Sequence, residues 1–266
     1  MIDFHNHVLP DVDDGPKTLE QSLNMLRSAA EQGITDVVNT VHFQHPKMDD
    51  KEITYENIQS RVSGLQEVLD EEGIEVKLHI GAEIFYLPNL VELISDPLCT
   101  FGNGRYMLVE FPFHILPEGY DKILFNLVMA GVTPIIAHPE RYKPIQKDLE
   151  ILRKLIRSGC LVQVDGGSVI GFLGRSSQKA ALEIIGQRLC HVLGTDAHDD
   201  RRRNFSLRQA VATCREIVGD DVDDMVSVNP SKILNGEKIV TDIEEVYIKP
   251  GIKQKVWNKF IGFMSR

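Results

Sequence analysis

The most constraining feature of this chain is an alternation. Seven short apolar runs, each of strand type, are separated by stretches in which leucine, isoleucine, valine and alanine recur at helical spacing. The runs are Met1–His7, Asp36–Thr40, Val76–Ala82, Tyr106–Val109, Pro134–Ala137, Leu161–Val164 and His191–Gly194. Between them lie Leu19, Leu23, Leu26 and Ala30, capped by Thr18 and stopped by Gly33, then Ile58, Val62, Leu65 and Leu69, stopped by Gly73. Further helical stretches run from Ile123 to Val128, Leu149 to Ile156, Ala180 to Ile185 and Ser206 to Val218. Strands that alternate with helices form a parallel sheet joined by crossovers. Repeated seven times, the pattern predicts one α/β domain, a closed or nearly closed TIM-like β/α barrel.

In such a barrel, functional groups gather at the C-terminal ends of the strands. His5 and His7 end the first run, and residues two apart in an extended chain share a face. Taken alone, a His-x-His pair is more often structural than metal-binding. Here it is followed by His42, Glu83, Glu110, His138, Asp196 and His198, all at the ends of later strands, and by Asp11, Asp13 and Asp14 in the loop after His7. These are imidazoles and carboxylates without a thiolate. That donor set suits manganese, iron, zinc or magnesium in an open hydrolytic site. Eight strand-end donors exceed the needs of one ion, so two or three ions are expected. Arg141, beside His138 and Glu140, offers a planar fork that matches phosphate, and Arg201, Arg202 and Arg203 follow His198.

Charge excludes one class of partner: the formal net charge of −10 is the wrong sign for a nucleic-acid binder. The four cysteines, Cys99, Cys160, Cys190 and Cys214, show no paired spacing, which predicts reduced thiols in a cytoplasmic chain. No leader pattern opens the sequence and no apolar stretch is long enough to span a bilayer. Cys99 to Arg105 fits the Cys-x5-Arg spacing of thiol phosphatases. That loop should follow a strand and open a helix, yet here it precedes a strand, so it reads as a chance match. His79, inside a strand, and His114, in a Pro-flanked loop, read as packing or surface residues. His45 stands between a substrate-facing and a surface role, and Asp165 between orienting a ligand and capping the next turn.

The ordered set His5-Asn6-His7, Asp13-Asp14-Gly15, Thr40-Val41-His42, Gly81-Ala82-Glu83, Glu110-Phe111-Pro112, Ala137-His138-Pro139-Glu140-Arg141 and Thr195-Asp196-Ala197-His198 resembles the polymerase and histidinol phosphatase (PHP) superfamily. Within it, the chain is most similar to the bacterial manganese-dependent protein-tyrosine phosphatases of CpsB/YwqE type, linked to capsular and exopolysaccharide synthesis. The resemblance covers about residues 1–236 and implies a distorted seven-stranded barrel of PHP type. It implies that His5, His7, Glu83 and Asp196 hold one metal, that Glu83, Glu110 and His138 hold a second with Glu83 bridging, and that Asp14, His42 and His198 hold a third. Arg141 and Arg203 would bind phosphate. The reaction implied is in-line attack of metal-bound hydroxide on a phosphotyrosine, with Asp14 or His198 as the acid. Departures from the family pattern are Val41, Phe43 and Asn204-Phe205.

The partner implied by that resemblance is a phosphotyrosine protein, namely a membrane-associated bacterial tyrosine kinase. Alternatives are a phosphatase of small phosphomonoesters such as histidinol phosphate, or a non-catalytic binding module. Residues 237–266 form a C-terminal extension. In it Lys249, Lys253, Lys255, Lys259 and Arg266 alternate with Val256, Trp257, Phe260, Ile261, Phe263 and Met264, a basic amphipathic pattern suited to peripheral membrane contact or to docking on the barrel or on a second subunit of a homo-oligomer.

Overall fold

The seven apolar runs become seven parallel strands whose order in the sheet is their order in the chain. The computed structural model describes residues 1–48 and 53–240. The strands are β1 (Ile2–Asn6), β2 (Asp36–Phe43), β3 (Lys77–Phe85), β4 (Tyr106–Glu110), β5 (Thr133–Ile136), β6 (Leu161–Asp165) and β7 (Val192–Gly194). The helices are α1 (Leu19–Glu31), α2 (Tyr55–Glu71), α3 (Tyr120–Met129), α4 (Lys143–Lys147), α5 (Glu150–Arg157), α6 (Gly166–Val169), α7 (Arg175–Gly186), α8 (Leu207–Val218) and α9 (Asn229–Leu234). The sheet curls into a nearly closed barrel. Its first and last strands meet where Asp196 N donates to His5 O (2.7 Å) and His7 N donates to Ala197 O (2.8 Å).

Local chemistry accounts for the crossovers. Thr18 and Thr54 cap α1 and α2 by accepting from the backbone N–H three residues on, at 3.3 Å each. Gly33 and Gly73 stop the same helices in left-handed conformations, with φ of 79° and 67°. On α2, Ile58, Val62, Leu65 and Leu69 are all buried against the sheet, each worth roughly 1.5–3 kcal/mol. Leu19 belongs to the apolar spacing of α1 but sits on its first turn and stays exposed.

The lower half of the barrel interior is filled by Val38, Leu108, Ile135, Leu161 and Val192, with Phe101, Tyr106 and Ile233 closing the base. Gly81 makes room for this plug, because a Cβ there would lie 2.6 Å from the Phe101 ring. The Cys99–Arg105 segment therefore serves the base of the barrel, opposite the strand ends that carry the candidate ligands. In β1 the pairing with β2 slips by one residue between Asp3 and Asn6, a bulge that breaks strict alternation. Phe4 consequently joins the basal cluster while the next residue, His5, also faces the interior.

Two expectations change in detail. The turn after Asp165 is the short helix α6, and Asp165 caps it by accepting from Gly167 N at 2.7 Å. His191 precedes β7 instead of opening it. Glu237 and Ile239 pack at the base through the Tyr106 hydroxyl. The amphipathic pattern of residues 249–266 lies outside the described residues. Among the described residues, no helix is long and apolar enough to cross a membrane.

Candidate metal centre

Because β1 to β7 all point the same way, their C-terminal ends form one rim, and the polar residues that end the apolar runs converge there. His5, His7, Glu83, His138 and Asp196 are all almost fully buried. His5 Nε2 lies 3.2 Å from Glu83 Oε2 and 3.5 Å from Asp196 Oδ1, and His7 Nε2 lies 3.5 Å from each of the same two atoms. His42 Nδ1 is 3.2 Å from Glu83 Oε2, while its Nε2 is 3.3 Å from Asp14 Oδ1. His198 Nε2 reaches the same Asp14 oxygen at 3.2 Å. His138 approaches the other Glu83 oxygen, Oε1, at 2.8 Å.

Three sets of donor atoms each lie within 4.8 Å of one another: His5, His7, Glu83 and Asp196; His7, Asp14, His42 and His198; and His42, Glu83 and Glu110. The first matches the set implied by the sequence. The second adds His7 to the implied set of Asp14, His42 and His198. The third has His42 where the resemblance placed His138, because Glu83 turns Oε2 toward His5, His7 and His42 and Oε1 toward His138, which stands 3.9 Å from Glu110.

Hydrogen bonding and charge both show that this donor set fits divalent cations. Buried His5 Nε2, His7 Nε2, His42 Nδ1 and Glu110 Oε2 make no hydrogen bond among the described residues. Buried polar atoms are otherwise almost always bonded, and these four face a shared interior point. His7 Nδ1 is held by Asp13 Oδ2 at 2.7 Å and His198 Nδ1 donates to Asp196 O at 2.8 Å, so the Nε2 atoms are left to act as ligands. The same Asp13 oxygen accepts from His42 N at 3.1 Å.

The surrounding charge is one-sided. Beside the imidazoles, five carboxylates, Asp13, Asp14, Glu83, Glu110 and Asp196, gather around two guanidiniums, Arg141 and Arg203, which contact Asp196. Burial, followed by the charges of Glu83 and Asp196, pushes Glu110 up to about 9. Burial would also raise Glu83, but the charge of His5 and the hydrogen bond from His138 pull it well below the carboxylate range. Such a pocket favours cations over protons.

The arginines meet on Asp196, with Arg141 Nη1 at 2.5 Å and Arg203 Nη2 at 2.6 Å from its Oδ2. The run Arg201 to Arg203 divides. Asp199 accepts from the backbone N–H of all three, folding a tight loop that sends Arg203 inward and leaves Arg201 and Arg202 exposed. Phe113 stacks on Arg141, with its ring centroid 4.7 Å from Cζ, and stays part-exposed at the mouth. His45 lies on that rim too, its ring 4.7 Å from that of His42 and its Nε2 3.8 Å from Glu110. His79 pairs with Asp36 on the strand flank and His114 is exposed, so neither reaches the centre. His138 and Asp196 both have positive φ, 31° and 49°, a strained backbone state that accumulates at functional sites.

Sequence reasoning missed Gln163 and Phe113 and left Asp13 without a task. A signal existed for Gln163: it lies between Leu161 and Asp165 on one face of an otherwise apolar strand. Phe113 carried none, since its partner Arg141 is remote in sequence.

Cys99, the residue of the thiol-phosphatase spacing, is fully buried and its thiol is driven up by burial, far from a reactive thiolate. All four cysteines are free and buried.

Comparison with known proteins agrees with this geometry. Residues 1–235 match the model of the family described as capsular polysaccharide synthesis, CpsB/CapC. The putative tyrosine-protein phosphatase CapC of Staphylococcus aureus is 33% identical over 210 residues, covering 79% of this chain and 81% of that protein. The tyrosine-protein phosphatase YwqE of Bacillus subtilis is 30% identical over 244 residues, covering 90% of this chain and 93% of its own. A crystal structure from work on YwqE of B. subtilis and CpsB of Streptococcus pneumoniae, described as metal-dependent tyrosine phosphatases, superposes with a TM-score of 0.86. It is 27% identical and covers 91% of this chain and 98% of that one.

Proposed function

The chain belongs to the CpsB/CapC family of capsular polysaccharide synthesis proteins, and on that premise we propose that it is a metal-dependent protein-tyrosine phosphatase. The observation that carries this reading is the convergence of His5, His7, His42, His138 and His198 with Asp14, Glu83, Glu110 and Asp196, beside two arginines, at the mouth of the barrel. His5, His7, Glu83 and Asp196 would hold one ion and Asp14, His42 and His198 another, with Glu83 reaching toward a third position near Glu110 and His138. Manganese suits these nitrogen and oxygen donors. When bound, such ions supply Lewis acidity to a phosphoryl oxygen and make water acidic enough to attack at neutral pH.

The remaining work falls to the chain itself. Arg141 and Arg203 hold the phosphoryl group by charge-assisted hydrogen bonds, and the carboxylates orient those guanidiniums. Phe113 offers an aromatic surface to the tyrosine ring. The departing phenolate is a fair leaving group, with a pKa of about 10 when free, so proton delivery by Asp14 or His198 is a modest demand. The substrate we propose is a phosphotyrosine protein, namely a membrane-associated tyrosine kinase of polysaccharide synthesis, met on the cytoplasmic side. Residues 1–236 would form the catalytic unit.

The test is hydrolysis of an aryl phosphate and a phosphotyrosine peptide, with chelator, with manganese add-back, and after thiol alkylation. Loss with chelator, rescue by manganese and indifference to alkylation are expected. Loss on alkylation but not on chelation would return the argument to Cys99 and Arg105.

A further inference from the structure

We propose that Gln163 is a positioning residue that sets the tautomer of His5 and tethers His138, so that one side-chain oxygen serves two of the metal positions. The inference rests on the metal reading above. Gln163 sits on the interior face of β6, fully buried. Its Oε1 lies 2.9 Å from His5 Nδ1 and 3.2 Å from the backbone N of His138.

The backbone of His138 fixes the orientation of the amide. A peptide N–H only donates, so the atom facing His138 N must be an acceptor. That requirement fixes which way the amide of Gln163 points: oxygen toward His138, nitrogen away. The same oxygen faces His5 Nδ1, so His5 must carry its proton there. The lone pair is then on Nε2, the atom that faces Glu83 and Asp196 and has no hydrogen bond of its own. His7, in the same strand, reaches the same state by a different route, through the carboxylate of Asp13.

Two further observations separate this role from packing. The Nε2 of Gln163 is buried with no hydrogen bond among the described residues. A half-satisfied buried amide costs stability, but its oxygen satisfies two donors, His5 Nδ1 and His138 N, that a leucine would leave buried and unpaired. Gln163 is retained on the strength of its oxygen alone. His138, the other residue that oxygen holds, has a strained backbone (φ 31°, ψ 55°) and carries its ring to Glu83 Oε1 at 2.8 Å. Loss of the oxygen would release both histidines, which approach different oxygens of Glu83.

The experiment compares Gln163→Leu and Gln163→Glu in the full chain. Manganese stoichiometry and affinity are read by calorimetry, Co(II) absorption reports ligand geometry, and thermal stability is followed in chelator. Gln163→Leu leaves His138 N and His5 Nδ1 without an acceptor, so it should lower the metal-free melting temperature and also weaken manganese binding roughly 10- to 100-fold, the usual cost of losing a group that orients a ligand. Gln163→Glu keeps the acceptor and should hold affinity within a few-fold of the parent, although its buried charge lowers metal-free stability. A large difference in affinity between two variants that are both destabilised without metal is what a packing role would not produce. Wild-type manganese binding and an unaltered Co(II) spectrum in Gln163→Leu would overturn the proposal, as would an equal loss of affinity in both variants. Failure of the parent chain to bind any divalent ion would instead remove the metal reading on which it stands.

Discussion

Replacing Gly194 by alanine should loosen the barrel where β7 meets β1 and disturb the metal centre through His5. A Cβ at Gly194 would stand 2.6 Å from His5 Cβ, 2.7 Å from His5 N and 3.1 Å from His5 Cα. Two of these atoms are backbone, so no rotamer change relieves the overlap. Restoring an ordinary 3.4 Å contact requires β1 to retreat by about 0.8 Å, a shift large enough to count as overpacking. The strand is pinned there by the bonds from Asp196 N to His5 O and from His7 N to Ala197 O, and Thr195 N binds Asp3 Oδ1 at 3.3 Å. Overpacking of this kind costs about 1–3 kcal/mol. At roughly 2–4 °C per kcal/mol for a domain of this size, the melting temperature should fall by several degrees. Displacing His5 by most of an ångström should lower kcat/KM on a phosphotyrosine peptide by about 10²-fold, even in saturating manganese. Calorimetry in chelator and steady-state kinetics read the two effects separately. The matched control is Gly64, exposed within α2 with nothing within 4 Å of its added Cβ, where alanine should stabilise by about 0.5–1 kcal/mol. A Gly194→Ala protein with parental melting temperature and activity would refute the account of barrel closure.

Arg141→Lys keeps the charge but loses the planar fork that meets Asp196 and stacks on Phe113. We expect kcat/KM to drop roughly 10²–10³-fold with manganese affinity unchanged, and a parallel collapse of metal binding would show that Arg141 acts through Asp196 instead. Phe113→Leu should reduce the preference for benzylphosphonate over methylphosphonate, measured as a ratio of inhibition constants, by roughly two- to tenfold. An unchanged ratio would leave Phe113 only as a support for Arg141. Burial lowers His191 from 6.5 to about 4, and its Nδ1 accepts from Val162 N at 3.1 Å, a bond that a protonated ring cannot make. The unfolded chain therefore binds this proton more readily. The stabilising contribution is complete above pH 6.5 and is lost as pH falls toward 4, by roughly 2 kcal/mol given the partial exposure of the ring. His191→Gln should flatten that part of the pH–stability curve, and a curve identical to the parent would exclude His191 as its source.

Much of this fold is legible in the sequence. Crossover helices of helical period, punctuated by Gly33, Gly73, Gly131 and Gly159, enforce parallel strands. Parallel strands put His5, His42, Glu83, Glu110, His138 and Asp196 on one rim, which is why a list of strand ends was also a list of neighbours. Periodicity is a local property, and it failed where local rules break. The bulge in β1 turns Phe4 and His5 both inward, and the loop after His198 sorts three adjacent arginines by means of the Asp199 carboxylate.

Residue type and spacing by themselves determined the barrel, the end of it that carries chemistry, and the donors available there. Each of these follows from the reach of a few residues of backbone. Only the tertiary structure decided how the donors are shared: Glu83 splitting its oxygens between His138 and the other imidazoles, Asp13 fixing His7, Phe113 lying on Arg141, and Gln163 joining His5 to His138. Apart from Asp13 and His7, six residues apart, those pairings span 25 to 158 residues, and their distances come from the curl of the sheet and the packing of its base, which no local spacing encodes.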